Sequence, residues 1–286
     1  MPGAWSPKPG PPIFPALLLS FSAVVFAQAP DRQAVVDTFN AANAAYQQEQ
    51  YATAAPLYEK VVAGAPDLPV AYLYLASSYD HLFQVSRRGQ LSNDAFLTKA
   101  EQNYRTAADK LIAQHRPDAT TAATTCLAML AALYGPDRLN NPGKARAVTE
   151  ELIRLDPASP AYALSLATLD EQAGAFANAE AALAKALAIR PDDARVLVQV
   201  ASHYADMAGR GELTPVQRKD FAAKSLAADD RALAIDPGSA DALTARAKLL
   251  QQEAKFETDK KKQQQLNQQV DALAARAKAL RDAKTP

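Results

Sequence analysis

Apolar residues recur along this chain at the three- and four-residue spacing of amphipathic helices, in segments that end at a proline. The phrases V-V-A-G-A-P, L-I-R-L-D-P, A-L-A-I-R-P and A-L-A-I-D-P occupy residues 61–66, 152–157, 186–191 and 232–237. Pro157 and Pro191 are 34 residues apart, and Pro191 and Pro237 are 46 apart, which is twelve more. Since proline cannot continue a helix, each phrase predicts a helix end. The recurrence predicts an all-α chain of repeated units.

The unit at 160–193 shows the repeated pattern most fully. It has Ala167 at its position 8, Ala179 at position 20, Ala186 at position 27 and Pro191 at position 32. These residues resemble the tetratricopeptide repeat, which is 34 residues long, with Leu and a small residue at 7 and 8, Tyr at 11, Ala at 20 and 27, an aromatic at 24 and Pro at 32. The resemblance implies an all-α, right-handed superhelix of about six helix-turn-helix units, an α-solenoid.

The spacing of the pattern has a physical reason. Positions 4, 7, 8 and 11 form one stripe on the first helix of a unit, and positions 20, 24 and 27 form the facing stripe on the second. One hairpin cannot bury its own apolar face, so neighbouring hairpins bury it jointly. The predicted array covers 28–254, with a polar capping helix at 255–286 and units near 35–68, 69–117, 124–157 (from about Thr124), 160–193, 194–239 and 240–283.

Two units depart from the period in the same way. In the repeat pattern, a small residue follows the tyrosine of the first helix after nine positions. In these two units the corresponding residue follows Tyr79 and Tyr204 after 21 positions. The inserted segments, at 83–94 and 208–220, both contain R-G-[QE]-L-[ST], and F-x-x-K-[AS] follows at the same distance from the tyrosine. This likeness indicates that the chain arose by duplication of a three-unit block.

Each insertion is predicted to lengthen the helices and to add a projecting turn. Thr214, Pro215 and Gln217 have the pattern of an N-cap, a proline at the first helical position and a capping-box partner, and Ser92 is placed to cap likewise. Loops accept insertions readily, so one interpretation is a tolerated surface turn. The other interpretation is a contact patch of three arginines, which are Arg87, Arg88 and Arg210.

The first residues have the features of a secretory signal peptide, predicted at 1–27. Residues 13–27 are mostly apolar and carry no charge, and Val25 and Ala27 place small residues before a cut at Gln28. The alternatives are an uncleaved anchor or a buried helix, but this stretch is short for a membrane span of about 20 residues, which disfavours an anchor. We expect export to the periplasm or to the cell exterior, and contact with a membrane only through an uncleaved N-terminal segment.

The composition narrows the choice of partner. Hydrophobic residues make up 49% of the chain and aromatic residues only 7%, so alanine carries much of the apolar content, which suits closely packed helices. There are 31 basic and 31 acidic residues, and loss of residues 1–27 removes Lys8 and no acid, which leaves 30 and 31. A nucleic-acid-binding protein is expected to be basic, so nucleic acid is not a predicted partner.

The sequence offers little catalytic chemistry. Cys126 is the only cysteine and lies in an apolar helical run, which predicts a buried side chain and no disulfide. His81, His115 and His203 lie in separate segments, and no phosphate-binding, hydrolase or zinc motif occurs in the sequence. The chain is therefore predicted not to be an enzyme and to have neither cofactor nor metal.

The resemblance implies that the first helix of each unit lines a concave groove. On the side opposite the packing stripe these helices carry a mixed polar set that suits an extended peptide or, alternatively, is simply solvated: Asn43, Tyr74, Ser77, Asp80, Thr168, Glu171, Gln199, Ser202 and Lys248. Cochaperone members of the family grip a C-terminal carboxylate with Lys, Asn and Arg. Only Asn43 matches that clamp, and Phe39 and Leu73 stand where it has polar residues.

The predicted function is a scaffold or adaptor in the bacterial cell envelope that binds a protein or peptide partner, without catalysis. Two alternatives stay open. A carrier of a small molecule or glycan needs an enclosed pocket lined by aromatic residues, which the low aromatic content disfavours. A purely architectural spacer needs no binding in the groove.

Overall fold

The computed structural model describes residues 31–283, and this part of the chain is all-α, without a strand. It contains twelve α-helices: α1 (Asp31–Gln47), α2 (Tyr51–Gly64), α3 (Pro69–Leu82), α4 (Leu91–Ile112), α5 (Pro117–Leu133), α6 (Pro142–Leu155), α7 (Pro160–Gln172), α8 (Phe176–Ile189), α9 (Ala194–Ala208), α10 (Pro215–Ile235), α11 (Ala240–Phe256) and α12 (Lys260–Asp282). A short 3-10 turn at Val85–Arg87 precedes α4. The predicted signal peptide at 1–27 lies outside the described residues.

The twelve helices pack as six hairpins, from α1/α2 to α11/α12, and each hairpin packs against the next. The small positions of the repeat lie where helices meet. Ala42 and Ala54 of the first hairpin, and Ala167, Ala179 and Ala186 of the fourth, are completely buried. A side chain no larger than a methyl group at these places allows close helix contact. The burial and the helix order confirm the predicted all-α solenoid of helix-turn-helix units.

Proline begins five of the described helices, at Pro69, Pro117, Pro142, Pro160 and Pro215. The fixed φ of proline suits the first helical position, and the N–H that proline lacks has no acceptor there. The residue before each proline has a non-helical backbone, as the steric clash with the proline ring requires. These prolines therefore set where the hairpins and their second helices start.

The third hairpin begins earlier than the sequence predicted, at Pro117 rather than near Thr124. Arg116 before it is extended, and Pro117 occupies the first helical position. The hydroxyl of Thr120 donates to the Arg116 carbonyl at 3.0 Å, so the residues between Pro117 and Thr124 are part of the helix. The structure therefore places the start of α5 about two turns further towards the N-terminus than predicted.

Both insertions lengthen the second helix of their hairpin. α4 has 22 residues and α10 has 21, whereas α2, α6 and α8 have 14 each. Thr214 caps α10 as predicted, since its hydroxyl accepts from the Gln217 N–H at 3.3 Å and the Gln217 side chain accepts from the Thr214 N–H at 3.0 Å. Ser92 is not a cap, because α4 already begins at Leu91.

The two related insertions place their shared leucine differently. Leu91 is 89% exposed, whereas Leu213 is only 7% exposed and belongs to the core. The R-G-x-L motif begins nine residues after Tyr79 but six residues after Tyr204, so its leucine meets a different part of the helical stack. The two insertions therefore resemble each other in sequence but pack differently in the structure.

The buried apolar residues form two main clusters. The first contains the buried core of α1–α6, and the second contains that of α7–α11, with smaller clusters around α10–α12. Tyr162 and Leu169 of α7 pack against the edge of the first cluster. At this boundary the Arg146 guanidinium of α6 pairs with the almost fully buried carboxylate of Asp170 on α7. The core boundary coincides with the boundary between the two three-hairpin halves.

The last hairpin presents a polar side at the end of the stack. In α12 only Ala277 is buried, and Leu273 and Leu280 pack partly against α11 and its neighbours. The other face carries exposed lysines and glutamines such as Lys261 and Gln264. A polar outer face at the end of a repeat array keeps the exposed end hydrated.

Candidate binding groove

All nine candidate groove residues lie on first helices of hairpins. They are Asn43 on α1, Tyr74, Ser77 and Asp80 on α3, Thr168 and Glu171 on α7, Gln199 and Ser202 on α9, and Lys248 on α11. The first helices contact one another directly at α1/α3, α7/α9 and α9/α11. The candidates therefore form two groups, one on α1–α3 and one on α7–α11, with α5 between them.

An aromatic cluster occupies the first group. We use this name for the six rings of Phe39, Tyr46, Tyr51, Tyr58, Tyr74 and His81. At its base Tyr46 and Tyr58 are buried. The ring of Tyr74 lies edge-on to Tyr46, with centroids 5.1 Å apart, and stacks on Tyr58 at 5.8 Å. Candidate Tyr74 is thus held by two buried rings.

The rim of the aromatic cluster consists of half-buried rings. Phe39 lies edge-on to Tyr58, with a centroid distance of 6.1 Å. Tyr51, the first residue of α2, stacks on His81 at 4.2 Å and lies edge-on to Tyr46 at 5.4 Å. Offset and edge-on pairs are the arrangements that aromatic rings favour, so the rim is ordered by its own contacts.

The polar groups at the base of the cluster are hydrogen-bonded inside the protein. The Tyr58 hydroxyl donates to Asn43 Oδ1 at 2.6 Å, and the Tyr46 hydroxyl is hydrogen-bonded to Ser77 Oγ at 2.7 Å. His81 Nδ1 lies 2.7 Å from the Ser77 carbonyl oxygen. Burial raises the pKa of both Tyr46 and Tyr58, so their hydroxyls stay protonated. Asn43 and Ser77 therefore orient rings rather than stand free in the groove.

Asp80 links the groove to the turn between α5 and α6. Arg138 Nε donates to Asp80 Oδ1 at 2.8 Å, and the Arg138 guanidinium lies 5.4 Å from the centre of the Phe83 ring. Arg88 donates to the carbonyl oxygens of Pro136 at 2.9 Å and of Arg138 at 3.1 Å. Arg88 of the first insertion thus supports the next hairpin, which is a structural role.

In the second group, Glu171 pairs with a histidine that the sequence analysis set aside. Glu171 Oε2 lies 2.9 Å from His203 Nδ1, and both side chains are largely buried. Arg210, from the second insertion, donates to the Glu171 carbonyl oxygen and lies over the Phe176 ring at 5.9 Å. The pair connects α7 to α9, and the insertion supports the same place.

The remaining candidates divide into engaged and free side chains. Lys248 Nζ lies 2.9 Å from Ser202 Oγ and 2.5 Å from Asp206 Oδ2, which connects α11 to α9. The Thr168 hydroxyl donates to a carbonyl oxygen of its own helix. Gln199 is exposed. The sequence could place these residues on a helix face, but it could not show that most of them have partners inside the protein.

A set of contacts that sequence reasoning missed repeats at three junctions between hairpins. In each set a tyrosine near the C-terminal end of a first helix is covered by a lysine of the second helix of the same hairpin, and the lysine pairs with a glutamate of the preceding second helix. The three sets are Tyr79, Lys99 and Glu59; Tyr134, Lys144 and Glu101; and Tyr204, Lys224 and Glu180. The lysine nitrogens lie 4.7, 5.5 and 5.9 Å from the ring centres. The sets connect successive second helices.

These contacts lower the pKa of two glutamate carboxyl groups. The Tyr79 hydroxyl donates to Glu59, and with Lys99 it lowers the pKa of that carboxyl. For Glu101, burial acts to raise the pKa, but Lys144 and the Tyr134 hydroxyl outweigh it and lower the pKa. Both carboxylates are thus stabilised in the ionised form by groups of the next hairpin.

Within residues 31–283 no group of His, Cys, Asp or Glu side chains is placed to hold a metal ion. Cys126 is completely buried, as predicted, and burial raises the pKa of its thiol to about 12. No helix in this range has the length and apolar character needed to span a membrane.

Two shallow cavities lie outside the groove stripe. One of about 520 Å³ is lined by Thr98, Glu101, Gln102, Arg105, Thr106 and Tyr134. The other, of about 240 Å³, lies at the first insertion and is lined by Leu82, Gln84, Arg87, Gln90, Ser92, Asn93 and Phe96. Each has a single aromatic residue among its lining residues, unlike the pocket lined by aromatic residues that is expected of a small-molecule carrier.

Comparison with known proteins gives similarities of structure at low sequence identity. No protein-family model matches the chain, and no curated protein matches it. YrrB, a TPR protein with an unusual peptide-binding site, is 16% identical over 77% of this chain and 99% of its own, with a TM-score of 0.46. PilW, a widely conserved type IV pilus biogenesis factor, is 18% identical over 84% and 93%, with a TM-score of 0.48. TTC0263, a thermophilic TPR protein of Thermus thermophilus, is 20% identical over 76% and 99%, with a TM-score of 0.40.

Proposed function

We propose that this chain is an exported scaffold of the bacterial cell envelope that binds segments of other proteins along the first helices of its hairpins, without catalysis. The observation that supports the proposal most is the direct contact between first helices at α1/α3, α7/α9 and α9/α11. Tyr46 reaches Ser77, and Lys248 reaches Ser202, across hairpin boundaries. Side-by-side first helices offer two surfaces, one on α1–α3 and one on α7–α11, which suit an extended or helical segment of a partner.

The export part of the proposal rests on the sequence of residues 1–27. Trp5 is the only tryptophan of the chain and lies in this segment. Removal of the signal peptide would therefore leave an exported protein without tryptophan fluorescence. Mass spectrometry of the protein recovered from the periplasm or the medium should give a chain that starts at Gln28. An exported chain that starts at Met1 would contradict cleavage.

An architectural spacer is the second candidate, and one observation favours it. Most polar candidates of the groove already have partners inside the protein, as Asp80 has in Arg138 and Glu171 has in His203. A peptide that used these groups would first have to displace their partners. A spacer needs the contacts only to fix the geometry of the stack.

Site-specific photo-crosslinking distinguishes the two candidates. A photoreactive amino acid is placed at Gln199, which is exposed on the groove stripe, and as a matched control at Asn178, which is exposed on a second helix. In cells that produce the chain, the scaffold proposal predicts a discrete crosslinked partner from position 199 and none from position 178. Lys248→Ala should weaken that crosslink. A spacer predicts no difference between the two positions.

A further inference from the structure

We propose that the first insertion binds the C-terminal residue of a partner protein, with the apolar side chain of that residue in a cavity and its carboxylate on Arg87. We call the cavity of about 240 Å³ that is lined by residues between Leu82 and Phe96 the insertion cavity. The inference rests on the proposed scaffold function and adds a contact site outside the groove stripe. It starts from the three arginines of the insertions, because Arg88 and Arg210 have structural roles and Arg87 has none.

The two related insertions differ in chemistry where the first one forms its cavity. When the R-G-x-L motifs are aligned, Gly209 of the second insertion corresponds to Arg87, and Glu212 corresponds to Gln90. Both Arg87 and Gln90 line the insertion cavity. The first insertion thus has a cation and a neutral amide where the second has a glycine and an acid.

The walls of the insertion cavity include apolar groups that a ligand can reach. Leu82 and Phe96 line it and are half-buried, whereas Phe221, at the place of Phe96 in the shared F-x-x-K motif, belongs to the buried core. Next to lining residues in the sequence, Val85 and Leu91 are 49% and 89% exposed. The volume of about 240 Å³ is below the range of about 300–1,000 Å³ that is usual for small-molecule pockets, so the cavity suits a single side chain.

The polar side of the insertion cavity offers donors without partners. Within residues 31–283 the side chains of Arg87, Gln90 and Ser92 make no hydrogen bond or ion pair. A guanidinium, an amide and a hydroxyl can all donate to a carboxylate, and the bond from the charged donor is the strongest of these. Asp94, the acidic residue of the same turn, accepts from the Gly89 N–H at 2.9 Å. The lining is therefore complementary in charge to an anionic ligand group.

The small size of the site indicates that the carboxylate and the apolar side chain belong to one residue. Successive side chains of an extended segment point to opposite sides, and the next one on the same side is about 6.6 Å further on. An acidic residue within a chain therefore directs its carboxylate away from a neighbouring side chain that fills the cavity. A C-terminal residue carries its side chain and its carboxylate on one Cα atom, so both reach the same cavity. The occupant is accordingly a chain end.

The shape of the insertion cavity is fixed by contacts within the protein. The side chain of Asn93, which is 5% exposed, accepts from the Gln84 N–H at 2.9 Å and donates to the Gln84 carbonyl oxygen at 3.1 Å. Arg88 connects the same turn to the carbonyl oxygens of Pro136 and Arg138. Because the site is already ordered, little conformational entropy is lost when a ligand binds.

The test uses the full chain and a fluorescein-labelled peptide, Ser-Gly-Ser-Gly-Ser-Gly-Phe, with a free C-terminal carboxylate. Three comparison peptides end in an amide, end in alanine instead of phenylalanine, or carry Phe-Glu in the middle and end in an amide. Fluorescence anisotropy gives the dissociation constants. We expect the first peptide to bind at least about tenfold more tightly than each comparison. Absence of binding, or equal binding of the carboxylate and amide forms, would overturn the inference, and so would a preference for the internal Phe-Glu peptide.

Two substitutions locate the site. Arg87→Gln should weaken binding of the free-carboxylate peptide about tenfold and change binding of the amide peptide by no more than about twofold, because only the contact with the charge is lost. Gln90→Glu introduces the acid that the second insertion has at Glu212, and it should weaken binding of the free-carboxylate peptide to a similar extent.

Arg154→Gln is the matched control, because Arg154 is also exposed and has no ion pair among the described residues, but lies at the C-terminal end of α6. Circular dichroism melting checks that each variant is folded. A preference for the carboxylate that persists in Arg87→Gln, or an equal loss of binding in Arg154→Gln, would refute the assignment.

Failure of this inference can be separated from failure of the scaffold proposal. If no preference for the carboxylate is found but the crosslink from position 199 still captures a groove partner, the site at the insertion is wrong and the scaffold stands. If neither is found, both proposals fail. A preference for the carboxylate that Arg87→Gln abolishes supports the site at the insertion, and the crosslink then decides whether the groove also binds a partner.

Discussion

Two carboxylates are almost completely buried at junctions between hairpins, and each is held by an arginine of the neighbouring hairpin. The side chain of Asp170 is 3% exposed and pairs with Arg146, and that of Asp229 is 2% exposed and pairs with Arg246 at 2.6 Å. Each carboxylate has one oxygen without a hydrogen-bond partner among residues 31–283. Because desolvation opposes the gain from such pairs, they set how hairpins dock more than they add stability.

Removing one member of the first pair should therefore cost more than removing both. Arg146→Leu leaves the carboxylate of Asp170 buried without its counter-ion. We expect the free energy of unfolding to fall by about 2 to 3 kcal/mol. This is less than for a fully buried pair, because the Arg146 side chain is 38% exposed and water screens its charge. Adding Asp170→Leu should recover most of this loss. Urea unfolding followed by circular dichroism measures both effects.

The control for this experiment is Arg195→Leu. Arg195 is 92% exposed and lies 3.8 Å from Asp193, so its removal should change the unfolding free energy by no more than about 0.5 kcal/mol. If the double variant is no more stable than Arg146→Leu alone, the unpaired carboxylate of Asp170 carries no desolvation cost, and the argument from desolvation is wrong.

At the scale of the helix, the two insertions provide a matched test of capping. Thr214 caps α10 through a full capping box, whereas Ser92, with the corresponding place in the shared motif, lies inside α4. We expect Thr214→Ala to lower the unfolding free energy by about 1 kcal/mol, and Ser92→Ala to lower it by less than about 0.5 kcal/mol. Thermal melts of the two variants make the comparison. Equal losses would show that Ser92 also acts as a cap.

The contacts between second helices predict that the stability of the folded protein falls at acidic pH. The pKa values of Glu59 and Glu101 are lowered in the folded state, so their contribution is present above the unfolded pKa and is lost as the pH falls through the folded pKa. Between about pH 5 and pH 3 the native protein should lose stability for this reason. A variant with Glu59→Gln and Glu101→Gln should lose less over that range. Urea midpoints at several pH values show the difference, and parallel curves would contradict it.

The helices could be predicted from the sequence because their signals are local. Proline positions and apolar spacing act within one or two turns, so the hairpins and the Thr214 cap were found. The contacts between hairpins could not be predicted, since Lys99 and Lys144 bind glutamates 40 and 43 residues away and no local pattern marks them. The nine candidate groove residues could be assigned to first helices from the sequence, but their partners inside the protein and the aromatic cluster depend on how the first helices stack.

At the scale of the whole molecule, the stack behaves as two blocks of three hairpins. The main core clusters divide between α6 and α7, where the Arg146–Asp170 pair crosses. In a repeat array each unit contacts only its neighbours, so stability is the sum of unit terms and junction terms. A substitution in one cluster should therefore destabilise its own block more than the other. This also means that the aromatic cluster can be altered without unfolding α7–α12.

Hydrogen exchange tests the two-block arrangement directly. Tyr104 is almost completely buried in the first cluster and Leu183 is completely buried in the second, and replacing either by alanine should cost about 2 to 5 kcal/mol. With Tyr104→Ala we expect faster amide exchange mainly in α1–α6, and with Leu183→Ala mainly in α7–α11, because local opening follows the stability of the unit that opens. Mass spectrometry of proteolytic fragments resolves the two regions. Uniform acceleration along the chain in both variants would mean that the six hairpins unfold as one unit.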